Sequence, residues 1–151
     1  MLQPGEKAPD FNLLTTTGEL FHLAETLQKA NVVLYFYPKD DTRGCTAQAC
    51  SFRDQYEVFK ENGAEVVGIS SDGLASHQEF TRKYELPFTL LTDQNGLVRK
   101  MYKVPRTLGL IPGRVTYVID REGIIRYAFN SQIKPLEHVA GALACIRELQ
   151  A

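Results

Sequence analysis

The sequence predicts an α/β fold in which helices flank a central, mixed β-sheet. Over the first two thirds of the chain, strand patterns alternate with helix patterns, which is typical of parallel strand pairing. The last two strand patterns are separated only by residues 121–123, a connection that suits an antiparallel hairpin. Because the chain has 151 residues, we expect residues 1–151 to form one domain.

The first elements lead from a hairpin to a long helix. Residues 8–27 alternate polar and apolar side chains around residues 17–18, which predicts a hairpin followed by a short helical turn. Residues 31–38 are β-branched and aromatic with little polar relief, so they predict a buried central strand ending at Pro38. A helix follows over residues 45–63, with one apolar face at a spacing of 3.6 residues made by Cys45, Ala49, Phe52, Tyr56 and Phe59.

The remaining elements complete the sheet and its helical layers. We predict strands and helices in the chain order β 64–71, α 76–86, β 88–93, α 96–104, β 113–120, β 123–130 and α 135–151. Pro87 stops the second long helix, and Pro135 lies near the first turn of the last one. This order is the thioredoxin-like arrangement, with the N-terminal hairpin as an extension.

The amino-acid composition argues against two kinds of binding partner. A net charge of −1 with 23% charged residues lacks the basic excess of a nucleic-acid-binding protein. No apolar run approaches the roughly 20 residues of a membrane span, so we expect neither nucleic acid nor membrane as a partner. The N-terminus has no secretory signal pattern, which favours the cytoplasm, or an organelle stroma if a transit peptide has been removed.

Cys45 stands where a buried strand has ended and a helix begins. The free N–H groups and the dipole of a helix N-terminus favour an anion, and the thiolate is the nucleophilic form of cysteine. Gly44 allows close approach of the backbone, and Thr42 offers a cap or a hydroxyl donor. The plainer alternative is that Cys45 is only a small apolar residue on the helix face, since free cysteines are often buried.

Cys50 lies five residues after Cys45, which is an unusual spacing for a redox pair. Helical residues five apart are rotated by about 140° and their Cα atoms are roughly 8–9 Å apart. A disulfide needs Cα atoms about 4.4–6.8 Å apart, so the two cysteines can bond only if the first turns of the helix unwind. If Cys45 attacks an oxidant and becomes a sulfenic acid, Cys50 can then resolve it as a disulfide.

The segment from Pro38 to Cys45 fits the peroxiredoxin pattern Pro-x-x-x-Thr-x-x-Cys, and the chain resembles the bacterioferritin-comigratory-protein or peroxiredoxin Q branch. The resemblance implies a thiol peroxidase for hydrogen peroxide and organic hydroperoxides, monomeric and re-reduced by thioredoxin or a similar dithiol protein. It implies that Cys45 is the peroxidatic cysteine and Cys50 the resolving one. Thr42 would bind thiolate and peroxide, Pro38 would shield the site, and Arg114 would hold the thiolate and polarise the peroxide.

Two positions depart from the pattern of many relatives. Arg43 replaces a proline, and Gln48 replaces a glutamate that could orient Arg114 with its charge.

We expect neither a cofactor nor a metal. We expect Cys145 to be a bystander, and the three histidines to have surface or capping roles. The alternatives are a thioredoxin-like disulfide reductase, although a Cys-x-x-Cys motif is missing, or a binding module such as a Cys45/Cys50 metal site or a redox-gated holdase.

Overall fold

The computed structural model describes residues 1–150, so Ala151, the last residue of the expected C-terminal helix, lies outside the described residues. Residues 1–150 contain nine strands: β1 Asn12–Thr15, β2 Leu20–His22, β3 Asn31–Phe36, β4 Ala64–Ser70, β5 Thr89–Thr92, β6 Arg106–Thr107, β7 Ile111–Pro112, β8 Val115–Ile119 and β9 Ile125–Asn130. Seven of them form one mixed sheet in the order β2-β1-β5-β4-β3-β8-β9. This arrangement confirms the predicted fold class.

Strand β3 lies inside the sheet, between β4 and β8, and is buried along its whole length. It pairs in parallel with β4 and antiparallel with β8, so the sheet changes direction beside this strand. Both faces are covered, which explains why its residues form a continuous apolar run instead of an alternating pattern. The hairpin of β1 and β2 extends the sheet by pairing β1 with β5.

In the described part of the chain, five helices pack around this sheet. They are α1 Leu23–Leu27, α2 Arg43–Glu61, α3 Leu74–Tyr84, α4 Leu97–Met101 and α5 Pro135–Gln150. Two apolar clusters lie on opposite faces of the sheet, because alternate residues of β3 point to opposite sides. One cluster joins α2, α3 and α5, and it contains Cys45, Phe52 and Phe59 from the predicted helix face. Tyr56 is only partly buried at the edge of that cluster.

The boundaries differ from the sequence prediction at three places near the active-site candidate. Strand β3 ends at Phe36, two residues before Pro38, and helix α2 begins at Arg43 instead of Cys45. Pairing of β6 with β7 forms a small extra hairpin that the sequence pattern did not reveal. Two residues per strand are too few for a periodic signal, so this element could be seen only in three dimensions. Among residues 1–150, no helix has the length and apolar character needed to cross a membrane.

Candidate active site

Cys45 lies in the first turn of α2, as its place after a buried strand predicted. Thr42 occupies the N-cap in an extended conformation, so Cys45 is the third residue of the helix. Its side chain is only 1% exposed, and its thiol is free. Cys50 lies in the same helix, is half-buried and is also free. Because both residues belong to one intact helix, their Cα atoms are roughly 8–9 Å apart, beyond the reach of a disulfide.

Arg114 brings a buried positive charge to the start of α2. It lies directly before β8 and is 4% exposed. Its Nη1 donates to Gln48 Oε1 at 2.6 Å, and its Nε donates to the Gln132 carbonyl at 3.3 Å. Two of its donor groups are therefore held by neutral acceptors, and the Nη2 end of the fork points toward the first turn of α2. The glutamine at position 48 does orient the arginine, as a hydrogen-bond acceptor without charge.

Gly44 is the residue that lets the guanidinium approach the helix. A Cβ atom at this position would lie 2.9 Å from Arg114 Nη2 and 3.7 Å from its Cζ. The first of these distances is too short for an ordinary contact, so only glycine leaves Arg114 in place. The arginine consequently lies against the backbone of the residue directly before Cys45. This contact gives a physical reason for a glycine at position 44.

Thr42 and Pro38 belong to the loop between β3 and α2. The Thr42 hydroxyl donates to the Lys39 carbonyl at 2.9 Å and does not cap the helix through its side chain. The side chain is exposed, so its hydroxyl can also turn toward a molecule in the site. Pro38 is half-buried at the beginning of this loop. The structure thus gathers Thr42, Arg114 and Cys45 around the N-terminus of α2, with Pro38 four residues before the N-cap.

Aromatic side chains form the inner wall of the site. Tyr35 stacks on Phe52 with ring centroids 4.6 Å apart, and both pack in the same cluster as Cys45. Burial raises the pKa of Tyr35 well above its usual value, and the charge of a nearby Cys45 thiolate raises it further. Tyr35 therefore stays neutral. Its hydroxyl has no hydrogen-bond partner among residues 1–150.

Arg99 is a structural contributor that sequence reasoning missed. It is 5% exposed, and it donates to the Tyr37 carbonyl and to the Gly113 carbonyl, both at 3.0 Å. Burial lowers its pKa, and the nearby Asp93 opposes that effect. Tyr37 precedes Pro38 and Gly113 precedes Arg114, so Arg99 joins the two chain segments that carry the site. A sequence gives no signal for this contact, because α4 looks like an ordinary short helix with surface charges.

The surface or capping roles predicted for the three histidines are wrong for two of them, whereas His22 does occupy the N-cap of α1 and is partly exposed. His77 and His138 are fully buried, whereas surface or capping roles were expected. His138 contacts Thr116 Oγ1 and the Ser131 carbonyl, both at 2.8 Å. Burial lowers the pKa of His138 to about 4, so it is neutral near pH 7. Asp40 is also buried, whereas the next residue, Asp41, is exposed.

Comparison with known proteins gives a matching family and several relatives. The model of the AhpC/TSA family matches residues 4–128. The chain is 49% identical over 146 residues to the chloroplastic peroxiredoxin Q of Oryza sativa subsp. japonica, covering 96% of this chain and 67% of the relative. It is 48% identical over 147 residues to the chloroplastic peroxiredoxin Q of Sedum lineare, covering 97% of this chain and 78% of the relative.

Solved structures of related proteins have the same fold. The peroxidoxin BcpB of Mycobacterium tuberculosis superposes with a TM-score of 0.93 at 33% identity, over 100% of both chains. The bacterioferritin comigratory protein of Xanthomonas campestris, studied for its alkyl peroxide reduction activity, superposes with a TM-score of 0.84 at 26% identity. That similarity covers 93% of this chain and 92% of the other.

Proposed function

The chain belongs to the AhpC/TSA family, in its peroxiredoxin Q branch, and on that basis we propose that Cys45 is the sulfur that attacks the peroxide. The protein is a thiol-dependent peroxidase, an oxidoreductase with peroxide substrates and a thioredoxin-type reductant. The observation that carries the residue assignment is the contact between Arg114 and Gly44, which brings a buried charge to the residue beside Cys45.

The first chemical step is a displacement on the O–O bond. The Cys45 thiolate forms an S–O bond to one peroxide oxygen while the O–O bond breaks, which leaves a sulfenic acid and an alkoxide or hydroxide. The departing oxygen then takes a proton and leaves as an alcohol or water, and sulfur has lost two electrons. Negative charge moves from sulfur to the departing oxygen during this step. Fixed donors accelerate it when they bind that charge better in the transition state than in the ground state.

Arg114, Thr42 and Pro38 have distinct parts in this proposal. The guanidinium has five donors in a rigid plane, so two neutral partners leave donors for sulfur and peroxide together. The Thr42 hydroxyl supplies a further donor once it rotates away from the Lys39 carbonyl. Pro38 has no N–H group and shields the sulfur from water with its ring.

Cys50 is proposed as the resolving cysteine. Its sulfur attacks the sulfenic acid of Cys45, so an S–S bond forms and water leaves. Because the intact helix keeps the two Cα atoms too far apart, α2 has to unwind locally before this step. A reductant with two thiols then restores both cysteines and leaves with its own disulfide, and we propose thioredoxin or a similar protein for this role.

Hydrogen peroxide and organic hydroperoxides are the proposed substrates. Two apolar side chains support the second class: Ile111 is 50% exposed and Ile133 is 85% exposed. Pro112 follows Ile111 and Gln132 precedes Ile133, and a hydrogen bond from Gln132 Nε2 to the Pro112 carbonyl at 3.2 Å joins these two neighbours. The Gln132 carbonyl also accepts from Arg114 Nε. An alkyl group could therefore lie on apolar surface beside the arginine. An Ile133→Ser variant should raise the KM for cumene hydroperoxide and leave that for hydrogen peroxide unchanged, and equal changes in both would contradict this placement.

Two cysteine variants test the residue roles. Cys45→Ser should abolish turnover, whereas Cys50→Ser should keep one rapid oxidation of Cys45 and block cycling with thioredoxin. Cys145→Ser is the matched control, and we expect it to cycle like the wild type because its thiol lies in α5, away from the site. Normal cycling by Cys50→Ser would overturn the resolving role. Oxidation of Cys45 no faster than a free thiol at the same pH would overturn the peroxidatic role.

We infer an organelle stroma as the compartment and a monomer as the working form. The plant relatives named above are chloroplastic, and they give no support to the expected cytoplasmic location. Immunodetection in chloroplast and cytosolic fractions of the source organism would distinguish the two. Light scattering that gives a mass of 17.0 kDa for the reduced protein would support the monomer, and twice that mass would contradict it.

A further inference from the structure

Asp40 is the centre of a buried polar network outside the reacting groups. It is 7% exposed and lies in the loop between β3 and α2. Its Oδ1 accepts a hydrogen bond from the Tyr37 hydroxyl at 2.5 Å, and its Oδ2 accepts one from Ser76 Oγ at 2.8 Å. Burial and the neighbouring groups raise the pKa of Tyr37 well above its usual value, so this hydroxyl keeps its proton and donates it.

His77 supplies the third contact to this carboxyl group. Its Nδ1 lies 2.7 Å from Asp40 Oδ2, and its Nε2 lies 2.9 Å from the Leu91 carbonyl. A carbonyl oxygen can only accept, so Nε2 carries a proton and donates it to Leu91. The contact between Nδ1 and Asp40 then holds one further proton. His77 therefore links the loop to the fully buried side of α3 and, through Leu91, to strand β5.

The backbone of the same loop is fixed independently. The Asp40 amide donates to Asp72 Oδ2 at 2.8 Å, and that oxygen also accepts from Ser70 Oγ at 2.6 Å. Asp41 adopts a φ of 56°, a conformation that L-residues rarely take. Its carboxylate accepts from Lys83 Nζ at 2.8 Å. A strained residue of this kind persists only where its surroundings hold it in place.

Asp40, Asp72 and His77 also offer metal-ligand atoms within 4.8 Å of one another. Their atoms already have protein partners, however: hydroxyl groups and an amide donate to the two carboxylates, and both nitrogens of the imidazole are engaged. Because these atoms already form a complete hydrogen-bond network, we explain the cluster by its effect on the conformation of the loop between β3 and α2 and not as a metal site.

We propose that the Asp40–His77 pair is a positioning device that holds Pro38 and Thr42 in place over Cys45. Asp40 stands midway between Pro38 and the N-cap Thr42, so its anchor fixes the conformation from which α2 starts. The proposal rests on the function assigned above. It adds that α3, which contains none of the reacting groups, determines how well the reduced site is assembled and how readily the start of α2 unwinds.

Loss of the contact between Asp40 and His77 should slow the first oxidation of Cys45 and speed the formation of the disulfide. Loss of the anchor misplaces Thr42 and Pro38, so the first oxidation of Cys45 becomes slower. It also favours unwinding of α2, so Cys50 reaches the sulfenic acid sooner and less sulfinic acid forms at high peroxide. A purely structural role would lower thermal stability without slowing the first oxidation and speeding disulfide formation.

His77→Asn and His77→Gln form a matched pair for the test. The asparagine amide takes the position of Nδ1 and keeps the link to Asp40, whereas the glutamine amide takes the position of Nε2 and keeps only the link to Leu91. Each variant loses one buried hydrogen bond. We expect His77→Gln to react with hydrogen peroxide about tenfold more slowly than the wild type and His77→Asn to stay within about threefold. In His77→Gln, the fraction of Cys45 that becomes sulfinic acid at high peroxide, measured by mass spectrometry, should fall several-fold.

Glu79→Gln is the surface control on the same helix, because Glu79 is exposed and its one ion pair among residues 1–150 is with Arg82; it should match the wild type in both measurements. Equal rate constants for the two His77 variants, or an unchanged sulfinic fraction in His77→Gln, would overturn the positioning role. The rate constants and the sulfinic fractions of the variants are all expressed as ratios to those of the wild type. A wild type that itself reacts no faster than a free thiol would instead refute the proposed function.

Discussion

Replacement of Gly44 by alanine should make the protein more stable and at the same time slow its reaction with hydrogen peroxide. Gly44 is the second residue of α2 and has an ordinary backbone conformation, since it is not among the residues with positive φ. Alanine is the better helix former by about 0.5–1 kcal/mol, so the backbone should gain stability. The new methyl group, however, would lie 2.9 Å from Arg114 Nη2.

The size of the rate effect follows from that distance. An ordinary contact begins near 3.4 Å, so the guanidinium has to withdraw by about 0.5 Å. A displacement of about 1 Å in a catalytic group can cost about a hundredfold in rate. Half that displacement therefore predicts a rate constant for hydrogen peroxide about tenfold below that of the wild type.

Competition for hydrogen peroxide with a haem peroxidase, followed by haem absorbance, measures this constant without a tryptophan signal, which the chain lacks. Ala47→Gly is the reciprocal control, because Ala47 is exposed on the same helix. It should lose about 1 kcal/mol of stability and keep the wild-type rate constant of the first step. A Gly44→Ala protein that reacts at the wild-type rate would refute the argument that Arg114 needs this glycine.

Three further predictions concern buried side chains of the site and its surroundings. Arg114→Lys keeps the charge but loses the rigid fork, so the same competition assay should show a decrease of about 10²-fold, and a near-wild-type rate would contradict the role of the fork. Gln48→Glu should hold Arg114 more tightly and raise the rate constant a few-fold, and an unchanged value would remove the basis for this idea. His138 binds a proton more readily in the unfolded chain, because burial lowers its folded pKa to about 4. Stability should therefore be lost as the pH falls from 6.5 toward 4, by at most about 2 kcal/mol between pH 7 and pH 5. Urea unfolding of the wild type and His138→Gln should show this difference, and parallel curves would contradict it.

The parts of the molecule that sequence patterns predicted are those fixed by local periodicity. The apolar run of β3 is buried along its length, and on the predicted helix face Cys45 and Phe52 are buried while Tyr56 is only partly buried. The separation of Cys45 and Cys50 also followed from helix geometry alone.

The parts that were missed depend on contacts between distant residues. His77 meets Asp40 from 37 positions away, and a histidine in a polar helix pattern looks exposed until the loop that covers it is known. Arg99 was missed for the same reason, since its partners are carbonyl groups and any residue type supplies one. The acceptor for Arg114 was foreseen at Gln48 only through the family resemblance, because 66 residues separate them.

Mass mapping of the peroxide-treated protein tests the central claim most directly. One equivalent of hydrogen peroxide should link Cys45 to Cys50 within a single chain, leave Cys145 as a thiol, and give no link in Cys50→Ser, where the sulfenic acid of Cys45 should be trapped instead. A disulfide that includes Cys145, or a first oxidation found on Cys50, would contradict the account.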